Sequence, residues 1–214
     1  MGERVGELRS RIAVHAGGRP VRIVAVTKGF GAEVVAATVA AGICDIGENY
    51  AQELRAKATS APGQVSWHFL GAPQTNKISG LAPLVSVWEA VDRLAAGQAI
   101  ARHRPGAAAF VEVNVAADPR RPGCDPSAAP GLVAALCSFG LAVRGLMAVA
   151  PGGDRGAARR VFRRLAAMGH DLGLPELSMG MSDDFEEAVE EGATSVRLGR
   201  ALFGPRPGTS PSPE

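Results

Sequence analysis

Arg22-Ile23-Val24-Ala25-Val26-Thr27-Lys28-Gly29, then a helix-patterned run over 31–41, then Ile43-Cys44-Asp45-Ile46, is the stretch that decides the fold. After Arg22, residues 23–27 are apolar or β-branched, which suits a buried strand. No hairpin signal separates them from the second short strand. A strand, a helix and another strand in that order make a crossover between parallel strands.

The same alternation continues almost to the end of the chain. A helix over about 50–58 leads to a strand at Val65–Leu70, with a short helix after Pro73. Leu84–Trp88 precedes a helix from Asp92 to about His103, and Ala108–Asn114 precedes one at about 127–138. Val143–Met147 precedes a helix over 155–169, and Leu177–Gly180 precedes one over 184–191. Ser195–Leu198 closes the series with a short helix from Arg200. Upstream, Val5, Leu8 and Ile12 share one face of a leading helix that ends at Gly17-Gly18. Eight strand–helix units after one extra N-terminal helix match a single (β/α)8 TIM barrel, for which about 200 residues is the low end. A doubly wound open sheet is the alternative, but no G-x-G-x-x-G follows the first strand. Residues 1–206 are read as the barrel and 207–214, rich in Pro and Ser, as a disordered tail.

Charge and composition exclude several classes. The 23 basic residues nearly balance the 21 acidic ones, for a net charge of +2. They cluster once, in Arg159-Arg160-Val161-Phe162-Arg163-Arg164, where apolar residues recur at helical spacing. That is a solvated helix face rather than a nucleic-acid patch. No apolar run approaches 18 residues, so no membrane helix is expected. Met1–Glu7 alternates charge and lacks the apolar core of a signal peptide, which places the chain in the cytoplasm. Cys44, Cys124 and Cys137 are odd in number and lack metal spacing, so they read as reduced, mostly buried thiols. No long exposed apolar stripe calls for an obligate dimer, and a monomer is expected.

Only three of the 23 basic residues are lysines: Lys28, Lys57 and Lys77. In so lysine-poor a chain each one invites a question, because a lysine amine can deprotonate and attack a carbonyl whereas arginine cannot. Lys28 stands at the end of the first strand, at the barrel face where active sites lie. It either snorkels out of the rim or serves as a Schiff-base amine. Arg197, on the closing strand, would neighbour it and depress its pKa. The loops after strands seven and eight offer Gly180, Ser182, Gly199 and Arg200, a place where barrels often bind phosphate. Ordinary capping by Asp183-x-x-Glu186 competes with that reading, as Asn49 with Gln52 does in Gly47-Glu48-Asn49-Tyr50. His68 reads as a satisfied core histidine, and no cluster has metal spacing. An amine beside a phosphate cradle fits a sugar phosphate or pyridoxal 5′-phosphate.

Several segments occur in order: Val24-Ala25-Val26-Thr27-Lys28, Gly47-Glu48-Asn49-Tyr50-Ala51-Gln52-Glu53, Trp67-His68-Phe69-Leu70-Gly71, Gln74-Thr75-Asn76-Lys77, Gly145-Leu146-Met147, Ser178-Met179-Gly180-Met181-Ser182-Asp183-Asp184 and Val196-Arg197-Leu198-Gly199. Together they resemble the pyridoxal phosphate homeostasis proteins (the YggS/PROSC family), which share their barrel with the N-terminal domain of alanine racemases. The resemblance implies that Lys28 forms an imine with the cofactor aldehyde and that Arg197 lies against the pyridine nitrogen. It implies that Ser182, Gly199 and Arg200 hold the phosphate, and that Asn49 lines the ring. A guanidinium donates only, which leaves the ring unprotonated and a poor electron sink. The family usually has a lysine where Arg121 stands, and Ala72-Pro73 also departs from its pattern.

The expected function is therefore a pyridoxal phosphate carrier, non-catalytic, passing its cofactor to pyridoxal-dependent apoenzymes. A racemase-like enzyme of low activity is the alternative. Racemisation needs an opposing acid or base, and 214 residues leave little room for a domain to bring one. A Schiff-base aldolase would need an acid–base partner, for which Glu112 is the candidate.

Overall fold

Val5, Leu8, Ile12 and Ala16 fall three or four residues apart and are all buried, forming the inner stripe of helix α1 (Gly2–Ala16). The helix stops at Gly17, which takes the left-handed conformation that a glycine C-cap allows. The computed structural model describes residues 1–206; the tail expected over 207–214 lies outside the described residues. After α1 come β1 (Arg22–Val26), α2 (Glu33–Ala40), β2 (Asp45–Glu48), α3 (Ala51–Ala58), β3 (Ser66–Phe69) and α4 (Thr75–Leu81). Then follow β4 (Val87–Val91), α5 (Leu94–His103), β5 (Ala108–Glu112), α6 (Ala129–Ser138) and β6 (Ala142–Met147). The series ends with α7 (Arg155–Asp171), β7 (Glu176–Ser178), α8 (Phe185–Glu190), β8 (Ser195–Leu198) and α9 (Arg200–Phe203).

The eight strands are parallel and close in sequence order, so β1 lies between β2 and β8. This is the expected (β/α)8 barrel with an added N-terminal helix. Val24 pairs with Arg197 across β1 and β8, which sets the two strand ends side by side. Most of the core fills the shell between helices and strands; Phe162 and Leu165 of α7 and Leu54 of α3 are wholly buried there. A smaller cluster of Val87, Ala90, Ala108, Phe110 and Met147 comes from β4, β5 and β6. Side chains alternate along a strand, so Ala108, Phe110 and Glu112 share the face turned to the barrel interior.

That interior also holds charge. His68 is buried and bonded on both sides, Nδ1 to Glu89 Oε1 at 2.7 Å and Nε2 to Asp45 Oδ1 at 2.9 Å. Burial pulls its pKa down, but the bonds to the two carboxylates outweigh it and raise the value above the ordinary one. It is the satisfied core histidine that its apolar strand suggests.

Two strands sit later than their apolar runs suggest. β2 starts at Asp45, because the Ile43 N–H bonds back to Thr38 and closes the turn after α2. β4 starts at Val87, because the N–H groups of Leu84 and Val85 both bond to Leu81 as α4 ends. In both cases a buried glutamate, Glu48 or Glu89, sits inside the strand and interrupts the apolar pattern. The arginine-rich helix α7 buries Val161, Phe162 and Leu165. Its outer face is tied down: Arg163 reaches Glu191 at 2.8 and 3.0 Å, and Arg159 reaches Glu190. All three cysteines are free, yet Cys137 is exposed and the other two only half-buried, so the expectation of mostly buried thiols fails. No helix among the described residues is long and apolar enough to cross a membrane.

Candidate cofactor site

The carboxyl ends of the strands open onto a cavity of about 810 Å³. Lys28, Asn49, Ser182, Arg197, Gly199 and Arg200, drawn from four different strand–helix connections and β8, all line it. Glu112 and Met147 line it as well.

Lys28 follows β1 and points into the cavity rather than away from the rim. Burial, then the nearby Arg206, lowers its pKa, with a further contribution from Arg197; Glu48 and Glu53 oppose the shift. A lysine depressed in this way holds a larger neutral, nucleophilic fraction. The backbone around it is held by a buried network. Lys57 Nζ donates to the Thr27 carbonyl at 2.7 Å, to Glu48 Oε1 at 2.5 Å and to Glu53 Oε2 at 3.0 Å. Thr27 Oγ1 donates to the same Glu48 oxygen at 2.6 Å, and the Gly29 N–H donates to Glu53 Oε2 at 2.8 Å.

Arg197 is only 5% exposed. One terminal nitrogen donates to Ser178 Oγ at 2.8 Å and the other to the Ala148 carbonyl at 2.8 Å. These use two of the five N–H donors of a guanidinium, so donors remain for a ligand in the cavity. Burial lowers its pKa, while Glu89, Glu112 and Asp184 act to keep it charged. Glu112 ends β5, opposite β1 in the ring of strands. Burial pushes its carboxyl up to about 7; Arg197 resists the shift and Asp92 adds to it.

The third part of the site lies after β7 and β8. Ser182 Oγ accepts the Ala201 N–H at 3.1 Å, joining the seventh loop to the start of α9. Gly199 caps α9, and the first N–H groups of a helix have no carbonyl to reach within it. Arg200 pairs with Asp183. Neither capping box forms. Tyr50, not Asn49, precedes α3, and it makes no side-chain cap. Asp184 precedes α8, and its carboxylate accepts the Met181 N–H at 2.6 Å, which closes the loop instead. Gly180 has a packing reason to be glycine: φ is +91°, and a Cβ would stand 2.5 Å from that of Ala188. Its glycine therefore says little about phosphate.

Three features escape a reading from strand ends alone. Glu112 is not the sole carboxylate on the strands, since Glu48 and Glu89 are fully buried on β2 and β4. Lys57 pairs with Glu53 four residues before it, a spacing visible in the sequence. Arg121 donates to the carbonyls of Val149 at 3.3 Å and Ala150 at 2.9 Å, tying the fifth connection to the sixth. No group of three or more His, Cys, Asp or Glu placed to hold a metal occurs among the described residues.

Residues 8–207 match the family described as alanine racemase, N-terminal domain. The chain is 40% identical over 218 residues to a pyridoxal phosphate homeostasis protein of Pseudomonas aeruginosa, covering 95% of each. It is 41% identical over 187 residues to one of Deinococcus radiodurans, covering 86% of this chain and 88% of that one. Among solved structures it is similar to PipY of Synechococcus elongatus with PLP bound, at a TM-score of 0.83 and 31% identity. That match covers 95% of this chain and 99% of PipY.

Proposed function

Because this chain belongs to the pyridoxal phosphate homeostasis proteins, built on the alanine racemase N-terminal-domain barrel, we propose that it binds pyridoxal 5′-phosphate as a Schiff base on Lys28 and keeps the reactive aldehyde out of solution. The single observation carrying this reading is the convergence in one cavity of a lysine with a lowered pKa and an arginine with donors to spare.

The donor set suits the cofactor. The bound cofactor would supply an aldehyde and an aromatic ring able to take up electrons. Lys28 supplies the amine that holds the aldehyde carbon. Arg197 faces the ring nitrogen and can only donate to it, which keeps that nitrogen unprotonated and the ring weakly activated. Ser182 and the N–H groups of Gly199 and Arg200 hold the phosphate, and Asn49 lines the ring. On this reading the protein is a carrier and not an efficient enzyme, with pyridoxal-dependent apoenzymes as its recipients.

Protein mixed with pyridoxal phosphate should turn yellow and be fixed in that state by borohydride. Lys28→Ala should lose both properties. A variant that kept the chromophore would sink the Schiff-base assignment. A second reading, slow racemase-type activity, is favoured by Glu112, whose pKa of about 7 suits proton transfer at neutral pH. Turnover of alanine at about 1 per second or faster, the range of ordinary enzymes, would overturn the carrier reading.

A further inference from the structure

One cluster of side chains holds the backbone on both sides of Lys28. Ahead of it, the Thr27 carbonyl accepts from Lys57 and the Thr27 hydroxyl donates to Glu48. Behind it, the Gly29 N–H donates to Glu53. Lys57 closes the circuit by bonding both carboxylates. Gly29 has φ of +76°, so the chain turns sharply just after the lysine, in a conformation open to many others unless something anchors it.

Stability alone does not account for this cluster. Lys57 is 4% exposed and Glu48 fully buried, and desolvating such a pair offsets much of its attraction. Glu53 is a different case. About a third of its side chain is exposed, yet its carboxylate turns inward to Gly29 and Lys57. Glu53 and Lys57 lie one turn apart on α3, so that helix presents both to the same short piece of chain.

We infer that Glu53 and Lys57 are positioning residues for Lys28: from α3 they fix the Thr27–Gly29 backbone so that the amine stands in the cavity, and Glu53 adds to the charge it feels. This rests on the reading of Lys28 as the covalent anchor. The charges facing the amine are Arg206 and Arg197, which favour its neutral form, and Glu48 and Glu53, which favour its charged form. Taking away the Glu53 charge shifts that balance toward the neutral amine.

The test uses the whole protein with pyridoxal phosphate as the probe. Absorbance gives the Kd and the pH midpoint of chromophore formation; thermal melting reports the fold. Glu53→Ala removes the acceptor of both the Gly29 N–H and Lys57 Nζ and should raise the Kd at least about tenfold in a protein that still melts cooperatively. Glu53→Gln keeps an acceptor for the Gly29 N–H but removes the charge, so its midpoint should move to lower pH. Lys57→Met should weaken binding at least as much as Glu53→Ala. If it does not fold, the two Glu53 variants decide the matter. Wild-type Kd and pH profile in both Glu53 variants would refute the positioning role. That outcome is distinct from a colourless wild type or a coloured Lys28→Ala, which would instead overturn the Schiff-base reading.

Discussion

Replacing Glu112 by Gln should make the cofactor-free protein more stable at pH 8, although a polar group at the site is conserved in size. Glu112 is 4% exposed, and burial raises its pKa from an ordinary 4.5 to about 7. Between those two values the folded state keeps a proton that the unfolded chain has released. Stability contributed by this group is therefore fully present below about pH 4.5 and is lost as pH rises through 7. The gap, at about 1.4 kcal/mol for each pH unit, amounts to about 3 kcal/mol. Glutamine does not titrate and escapes the loss. Other groups, His68 among them, titrate in both proteins and cancel in the comparison. For a chain of this size about 3 kcal/mol corresponds to about 6–12 °C in melting temperature. The two proteins should thus melt within a few degrees of each other at pH 5, with the variant melting higher at pH 8. A difference that is the same at both pH values would refute the claim that Glu112 is buried with a raised pKa.

Other expectations follow from the same geometry. Arg197→Lys cannot reach both Ser178 and Ala148 while also facing a ligand, so pyridoxal phosphate titration should show about tenfold weaker binding in a folded protein. Phe162→Ala empties a fully buried position between α7 and the strands and should cost about 3–5 kcal/mol by urea denaturation. Gly180→Ala combines positive φ with a close approach to Ala188, and should lower stability by about 2 kcal/mol on the same assay.

The barrel could be read from sequence because each strand is a short apolar run and each helix carries its own stripe. Val5, Leu8 and Ile12 are one such stripe, and all are buried. Reading failed where the barrel keeps charge inside its wall. Glu48 and Glu89 look like polar interruptions and hide the ends of β2 and β4, while apolar Ile43 and Leu84-Val85 close the preceding turns and make the runs begin two and three residues before the strands. What justifies Glu89 in a strand is His68 on the neighbouring strand, and no local pattern carries that information. The cavity residues were legible for a topological reason. In a barrel every strand ends at the same face, so Lys28, Arg197 and Glu112 had to converge once the strands were identified. The hold of α3 on Lys28 was not, because it depends on where a helix packs after its strand is placed. Asn49 shows the converse: a passable capping box in sequence makes no cap in the structure.

The charged interior explains how the barrel can carry Arg197 in its wall. A guanidinium buried alone would be costly, and burial does pull its pKa down. Beneath it runs a chain of opposite partners: Glu89, held by His68, which is held by Asp45 near the other end of the barrel. Glu89 is held below its usual pKa by His68 and Arg197 despite complete burial, so it stays ionised and supports the arginine. The two remaining anchors, Ser178 and the Ala148 carbonyl, come from β7 and the end of β6 and fix the plane of the guanidinium. A guanidinium has no acceptor and keeps its protons, so Arg197 held in this plane can donate to a ligand but does not pass a proton to or from it. In the proposed site the same donor-only group that would hold a pyridine nitrogen would also leave the ring a poor electron sink.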